Sequence, residues 1–156
     1  MSRIGFGFDT HKLDPSAKLF LGGIEIPSEK GATGHSDADV LIHAICDALL
    51  GAANLGDIGT HFPDTDTQYK GIDSKILLRK VVEMLIDNDY RISNIDTTVC
   101  LEKPKIAPYI TLIKQKLSEV IGIPIYDISV KAKTSEKLGF IGREEGISAY
   151  AVALLE

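Results

Sequence analysis

A chain of 156 residues with 44% apolar and 25% charged side chains has the length of about one globular domain and enough apolar content to build a core. Its 22 acidic against 17 basic side chains, a net charge of −5, argue against duplex nucleic acid or an anionic membrane surface as the main partner. Cys46 and Cys100 form no CxxC pair, so neither a disulfide framework nor a zinc knuckle is indicated, and no leader-like or bilayer-spanning apolar run is present. The expected location is the cytoplasm.

No repeat or low-complexity linker interrupts the chain, and residues 1–156 read as a single domain. Arg3 to Phe8 is strand-like, and Gly22-Gly23 between two short apolar stretches in Lys18–Pro27 predicts a hairpin. From Ser36 the period changes: Ser36 reads as a helix cap with Asp39 three residues on, and Leu41, Ile45, Ala48, Leu49 and Ala52 form an apolar stripe. Asp39, His43 and Asp47 lie at i, i+4 and i+8 on another face and are expected to look outward from the core. A second helix is predicted over Ser74–Asp87, capped by Asp73, with Leu78, Val81, Val82 and Leu85 inward. Ile92–Leu101 alternates as a half-buried strand; a third helix carries Pro108 in its first turn, buries Ile110, Ile113, Leu117 and Val120, and ends at Gly122 with Pro124 beyond. Tyr126–Lys133 and Ile147–Leu155 complete the pattern as strands. The predicted class is α+β, a mixed four-stranded sheet with helices on one face plus an N-terminal hairpin.

Four places carry chemistry. In a strand, Asp9 and His11 project to one face, and with His43 as third ligand they make a site with an open fourth position, as a catalytic divalent ion such as zinc requires; the alternative is a turn carboxylate and a surface imidazole. Gly56-Asp57-Ile58-Gly59 through Phe62-Pro63-Asp64-Thr65-Asp66 allows close backbone approach to a ligand, with Asp57 as acceptor for hydroxyls, or is a long acidic turn. Leu101-Glu102-Lys103-Pro104-Lys105-Ile106-Ala107 leads into a helix N-terminus beside two lysines, an anion site or a turn with solvated lysines. The segment Lys131–Arg143 gathers Lys133, Thr134, Ser135, Glu136 and Lys137 at a strand end, with Leu138, Phe140 and Ile141 as contact surface; the alternative solvates Glu136 and Lys137 and buries Phe140.

Taken together and in order, Asp9-x-His11, His35-Ser36-Asp37-x-Asp39, His43, Gly56–Gly59 with Phe62–Asp66, Pro104-Lys105 and Thr134-x-Glu136-Lys137-Leu138-Gly139-Phe140-x-Gly142-Arg143 resemble the 2-C-methyl-D-erythritol 2,4-cyclodiphosphate synthase family. Lys133 stands where that family often has a small hydroxyl residue, and Leu101-Glu102-Lys103 where it has a less charged stretch.

The resemblance implies an α+β homotrimer with active sites shared between subunits. It implies a metal-dependent lyase that cyclises 4-diphosphocytidyl-2-C-methyl-D-erythritol 2-phosphate and releases CMP in isoprenoid precursor biosynthesis. Asp9, His11 and His43 would hold zinc or a similar divalent ion, and Glu136 a magnesium or manganese ion on the substrate diphosphate. His35, Thr134, Asp39 and Glu136 would be catalytic, with Asp39 orienting His43. Substrate would meet Asp9, Thr10, His11, His35, Ser36, Asp57–Gly59, Phe62–Asp66, Leu101–Ala107 as the cytosine-reading segment, Lys133–Glu136, Phe140 and Arg143. Phe140 and Arg143 would lie near the threefold axis, by a cavity fit for an isoprenoid diphosphate. Two other readings stand beside it: a metal-dependent phosphohydrolase with Asp39 as base, and a non-catalytic metal- or nucleotide-binding module.

Overall fold

The computed structural model describes all residues, 1–156. In chain order the elements are β1 (Arg3–Asp14), β2 (Leu19–Leu21), β3 (Ile24–Ile26), β4 (Gly31–Thr33), α1 (Val40–Ala53), α2 (Ile58–His61), α3 (Ser74–Asp87), β5 (Ile92–Cys100), α4 (Ile110–Ile121), β6 (Ile128–Lys133), α5 (Gly139–Gly142) and β7 (Gly146–Leu155). The main sheet has the order β4-β1-β7-β5-β6, antiparallel except for the parallel β5–β6 pair that α4 connects, and β2–β3 form a separate hairpin. The α+β class and the hairpin are as expected, with Gly22 and Gly23 both at positive φ in its turn, as a type I′ connection requires.

The sheet has five strands rather than the four expected. The added strand, β4, pairs with Lys12–Asp14 at the sheet edge, and its three residues Gly-Ala-Thr are too few to show a period. One contiguous core of 38 buried residues lies between the sheet and the helices. No helix is long and apolar enough to cross a membrane.

Helix α1 is buried nearly all round; His43, Asp47 and Gly51 are the residues of it that keep some exposure. Asp39 does not share that outward strip. It is fully buried and is itself the N-cap, accepting from the Ile42 amide, whereas Ser36 lies upstream with its hydroxyl on His43.

The close seat of α1 on β1 comes from Gly5 and Gly7, which face Ala44, Ala48 and Ala52. A methyl group at Gly7 would sit 1.9 Å from the Ala44 carbonyl oxygen, and one at Gly5 1.8 Å from that of Ala48. The alternate residues Ile4, Phe6 and Phe8 therefore point away from the helices, beside Tyr150 and Val152 of β7, and leave an apolar sheet face open in the single chain, with Ile4 74% and Phe6 62% exposed. Phe8 and Tyr150 pack with their ring centroids 5.2 Å apart and their planes tilted by 39°.

Candidate active site

Because β1 runs through to Asp14, Asp9 and His11 share its helix-covered face, two and four residues beyond Gly7, where α1 delivers His43. Asp9 Oδ2 lies 2.9 Å from His11 Nε2 and 3.0 Å from His43 Nδ1, and the two ring nitrogens are 3.1 Å apart. Adjacent donors on a tetrahedral zinc ion with bonds of ~2.0 Å are about 3.3 Å apart, so this near-equilateral triangle fits one face of such a site and leaves the fourth corner open. The three are the one group of His, Cys, Asp and Glu side chains in the chain close enough together to hold a metal.

Electrostatics agree with the geometry. Burial alone would raise the Asp9 carboxyl, but hydrogen bonds from His11 and His43 and their charges outweigh it and hold Asp9 at about 2. Burial disfavours the charged His43 ring, yet the hydrogen bond and charge of Asp9, with smaller help from Asp39 and Asp37, raise its pKa.

His43 is backed on its other nitrogen by hydroxyls: Nε2 lies 2.9 Å from Ser74 Oγ and 3.0 Å from Ser36 Oγ. Ser74 in turn donates its hydroxyl to Asp37 in a short hydrogen bond, and its amide donates to the same carboxylate at 3.0 Å. The Asp39 carboxylate, expected to orient His43, makes no hydrogen bond to it; the link between the two residues is the His43 amide on the Asp39 carbonyl, at 3.1 Å. That carboxylate accepts from the amides of Gly22, Gly23 and Ile42, which ties the β2–β3 turn to the start of α1, and burial raises its pKa against the pull of those amides. Sequence reasoning missed Ser74; the one signal was its place next to the α3 cap Asp73.

A cavity of about 410 Å³ opens beside His43, lined by His35 and Ser36, by Ile58, Gly59, Phe62, Pro63, Asp64 and Thr65, and by Tyr69, Ile72 and Leu77. The first eight were foreseen; the apolar Tyr69, Ile72 and Leu77 were not. Asp47 places the loop, since its carboxylate accepts the Ile58 amide at 2.8 Å. Phe62 packs edge-on to Tyr69, and the Lys80 ammonium stands over both rings at 5.9 and 5.5 Å. Asp57 and Asp66 were expected at the substrate, but each caps a short helix, Asp57 accepting from Thr60 and Asp66 from Gln68, and neither lines this cavity. The Thr10 side chain points to the opposite sheet face, bonded to Ser148 at 2.8 Å.

The remaining expected residues gather elsewhere. Leu101, Glu102, Pro104, Lys105, Ile106 and Ala107 line a second cavity of about 190 Å³ together with Ala132, Lys133 and Thr134. Glu102 shapes its rim: its carboxylate accepts from the Ser135 and Lys137 amides and holds Glu136 and Lys137 in left-handed backbone. Thr134 donates to Glu136 at 3.1 Å, and both are exposed. Lys103 turns away to pair with Glu144, and Arg143 pairs with Glu145. Phe140 is half exposed over Gly146, while Ile141 is buried and offers no contact surface, contrary to expectation.

The two cavities share no lining residue. Thr10, Ser148, Cys100 and Lys133 form one row across β1, β7, β5 and β6, so the metal donors and Thr134 are separated by three strand spacings, about 14 Å.

Comparison with known proteins places this geometry. The YgbB family model matches residues 2–156. The 2-C-methyl-D-erythritol 2,4-cyclodiphosphate synthase of Bacteroides thetaiotaomicron is 59% identical over 154 residues, covering 99% of this chain and 97% of that protein. A solved 2C-methyl-D-erythritol-2,4-cyclodiphosphate synthase in a CDP-bound form superposes with a TM-score of 0.91 at 38% identity over 99% of this chain and 100% of that one. The bifunctional IspDF of Campylobacter jejuni superposes with a TM-score of 0.96 at 37% identity, and there the chain spans 42% of the longer protein. With the match running from residue 2 to the last residue and the three metal donors converging in the fold, the chain belongs to the YgbB family, that of the 2-C-methyl-D-erythritol 2,4-cyclodiphosphate synthases.

Proposed function

We propose that this chain is a phosphorus–oxygen lyase that converts 4-diphosphocytidyl-2-C-methyl-D-erythritol 2-phosphate to 2-C-methyl-D-erythritol 2,4-cyclodiphosphate and CMP, in isoprenoid precursor biosynthesis. The observation that carries it is a three-donor metal site opening onto a cavity of hydroxyl, imidazole and backbone donors, His35, Ser36 and Gly59 among them. An oxygen of the substrate's own 2-phosphate attacks the β-phosphorus, the bond to the α,β-bridging oxygen breaks, and CMP leaves with that oxygen. The protein's work is then positioning and charge neutralisation.

A divalent ion on Asp9, His11 and His43, zinc in this reading, would polarise the β-phosphate, while Glu136, an oxygen donor, suits magnesium or manganese on the diphosphate. His35 and Ser36 hydrogen-bond phosphate oxygens, and Thr134 does so beside Glu136. Gly59 and the loop through Thr65 take the polyol, with Phe62 as its apolar wall. Leu101–Ala107 and Lys133 take the cytidine. Asp39 contributes through the backbone it caps, which weakens the phosphohydrolase reading: the carboxylate that would activate water is fully buried and held by three amides.

The proposal includes a homotrimer with shared sites. A gap of about 14 Å between the metal donors and Thr134 is too wide for one diphosphate, so Glu136 and the cytidine cavity would reach the substrate from an adjacent copy. The apolar face of Ile4, Phe6, Phe8, Tyr150 and Val152 supports association through the sheets. Phe140 and Arg143 would then approach the axis, where an isoprenoid diphosphate is the proposed ligand. The cytoplasm is the proposed location, with residues 1–156 acting as one domain.

Product analysis tests the reading. Chromatography after incubation with substrate and magnesium should show CMP together with the cyclic diphosphate; inorganic phosphate, or CMP with an open-chain bisphosphate, would favour the hydrolase, and unchanged substrate the binding module.

A further inference from the structure

We propose that Asp37 and Ser74 form a fixed proton relay behind His43 that holds the proton on Nε2, so that Nδ1, which faces Asp9 and His11, is the nitrogen that gives up its proton and offers a lone pair when a metal ion takes the site. The inference rests on the metal reading of those three residues and adds positioning residues that hold one of them in its ligating tautomer.

A carboxylate only accepts, and Asp37 faces three donors: the Ser74 hydroxyl and the Asp39 amide at 3.2 Å on Oδ1, and the Ser74 amide at 3.0 Å on Oδ2. The single hydroxyl proton of Ser74 is thereby committed to Asp37. Ser74 Oγ, 2.9 Å from His43 Nε2 and nearer than Ser36 Oγ at 3.0 Å, has only lone pairs left, so a hydrogen bond between Ser74 and Nε2 takes its proton from Nε2. A neutral imidazole protonated on Nε2 carries its lone pair on Nδ1, the atom that stands 3.0 Å from Asp9 and 3.1 Å from His11 Nε2.

Ser36, 3.0 Å from the same Nε2, is not so constrained: its oxygen accepts from the Ala38 amide and its proton remains free for the cavity it lines. The relay is also rigid. Ser74 is fully buried at the first turn of α3, and Asp37 spans from the His43 helix to α3 by bonding both backbone and side chain of Ser74. Groups behind metal-bound histidines act in this way, setting tautomer and ring orientation.

Asp37→Asn tests the direction of the relay at constant shape. The new side chain has one oxygen for two backbone amides that cannot reverse; with that oxygen kept on the closer Ser74 amide, at 3.0 Å against 3.2 Å for the Asp39 amide, its NH2 faces Ser74 Oγ. The serine hydroxyl then turns toward His43 Nε2, which becomes the acceptor, and the proton moves to Nδ1. Zinc affinity of the full chain, measured by competition with a chromophoric chelator, should fall roughly 10- to 100-fold in Asp37→Asn and in Ser74→Ala. Nitrogen-15 NMR of labelled histidines should show the His43 proton on Nε2 in the zinc-loaded wild type. Thermal unfolding of the metal-free forms checks that each variant folds, and either folded variant suffices. Affinity within threefold of wild type in a folded variant, or a zinc-loaded wild type with His43 bound through Nε2, overturns the relay. Failure of the wild type to bind zinc at all would instead overturn the underlying metal reading.

Discussion

Replacing Gly7 by Ala should damage fold and metal site together. The new methyl group would lie 1.9 Å from the Ala44 carbonyl oxygen and 2.6 Å from the Ala48 amide nitrogen, both backbone atoms of α1. Ordinary contact begins at 3.4 Å, so the helix must retreat from β1 by about 1.5 Å, and no side-chain rotation can absorb this. Overpacking against backbone belongs at the upper end of the usual range, about 3 kcal/mol, or roughly 6–12 °C in Tm for a chain of this size. The retreat acts on His43, one residue before Ala44, in a triangle whose edges are 2.9–3.1 Å, so zinc affinity should fall at least tenfold. Gly51→Ala is the control: it lies in the same helix with nothing within 4 Å of the added carbon, and it should stabilise by about 0.5–1 kcal/mol with metal binding unchanged. Thermal unfolding and chelator competition on both variants decide the matter. An unchanged Tm and zinc affinity for Gly7→Ala would refute the close seat of α1 as the source of the site's geometry.

His11→Ala and His43→Ala should each remove stoichiometric metal and activity while circular dichroism stays native, and full occupancy by elemental analysis would contradict the donor assignment. Glu136→Gln should lose magnesium-dependent turnover yet keep the tightly bound metal. In the metal-free protein the raised pKa of His43 gives stability that is full below its ordinary 6.5 and fades as pH climbs through the folded value, whereas the depressed Asp9 gives stability present above its ordinary 3.8 and lost toward about 2. Melting temperature should therefore fall on both sides of that window, and His43→Gln should flatten the alkaline limb. Mixing inactive His43→Ala subunits with inactive Lys105→Ala subunits should restore part of the activity, because some interfaces then join two intact halves; no recovery after verified subunit exchange would count against the shared site.

The helices, the hairpin and the metal donors were legible because each rests on local rules: an apolar stripe, two glycines in a turn, an i, i+2 pair on a strand. Strand β1 shows where such rules stop. In Ile4-Gly5-Phe6-Gly7-Phe8 the alternation puts the large residues on one face and the glycines on the other without saying which is covered, and the helix seats on the glycines and leaves the apolar side chains outside. A period of two says which residues share a face; what packs on that face is settled by residues 40 positions away. Asp39 was misread for a similar reason. Its helical spacing to His43 is correct, but the Gly22 and Gly23 amides that claim its carboxylate belong to a hairpin whose docking no spacing reveals. Ser74 reaches His43, and through Ser74 so does Asp37, by the same kind of long-range contact, and Asp57 and Asp66 also serve as caps, a role that Asp followed by a short helix equally predicts.

The most direct test of the central claim is where the attacking oxygen comes from. Turnover in water enriched in heavy oxygen, followed by phosphorus NMR of the products, reads the attacking atom without reference to any variant. Attack by the substrate's own 2-phosphate leaves both CMP and the cyclic diphosphate free of label, with two coupled phosphorus signals from the ring. Label on any product phosphorus would mean that water is the nucleophile, and the cyclase account would be wrong.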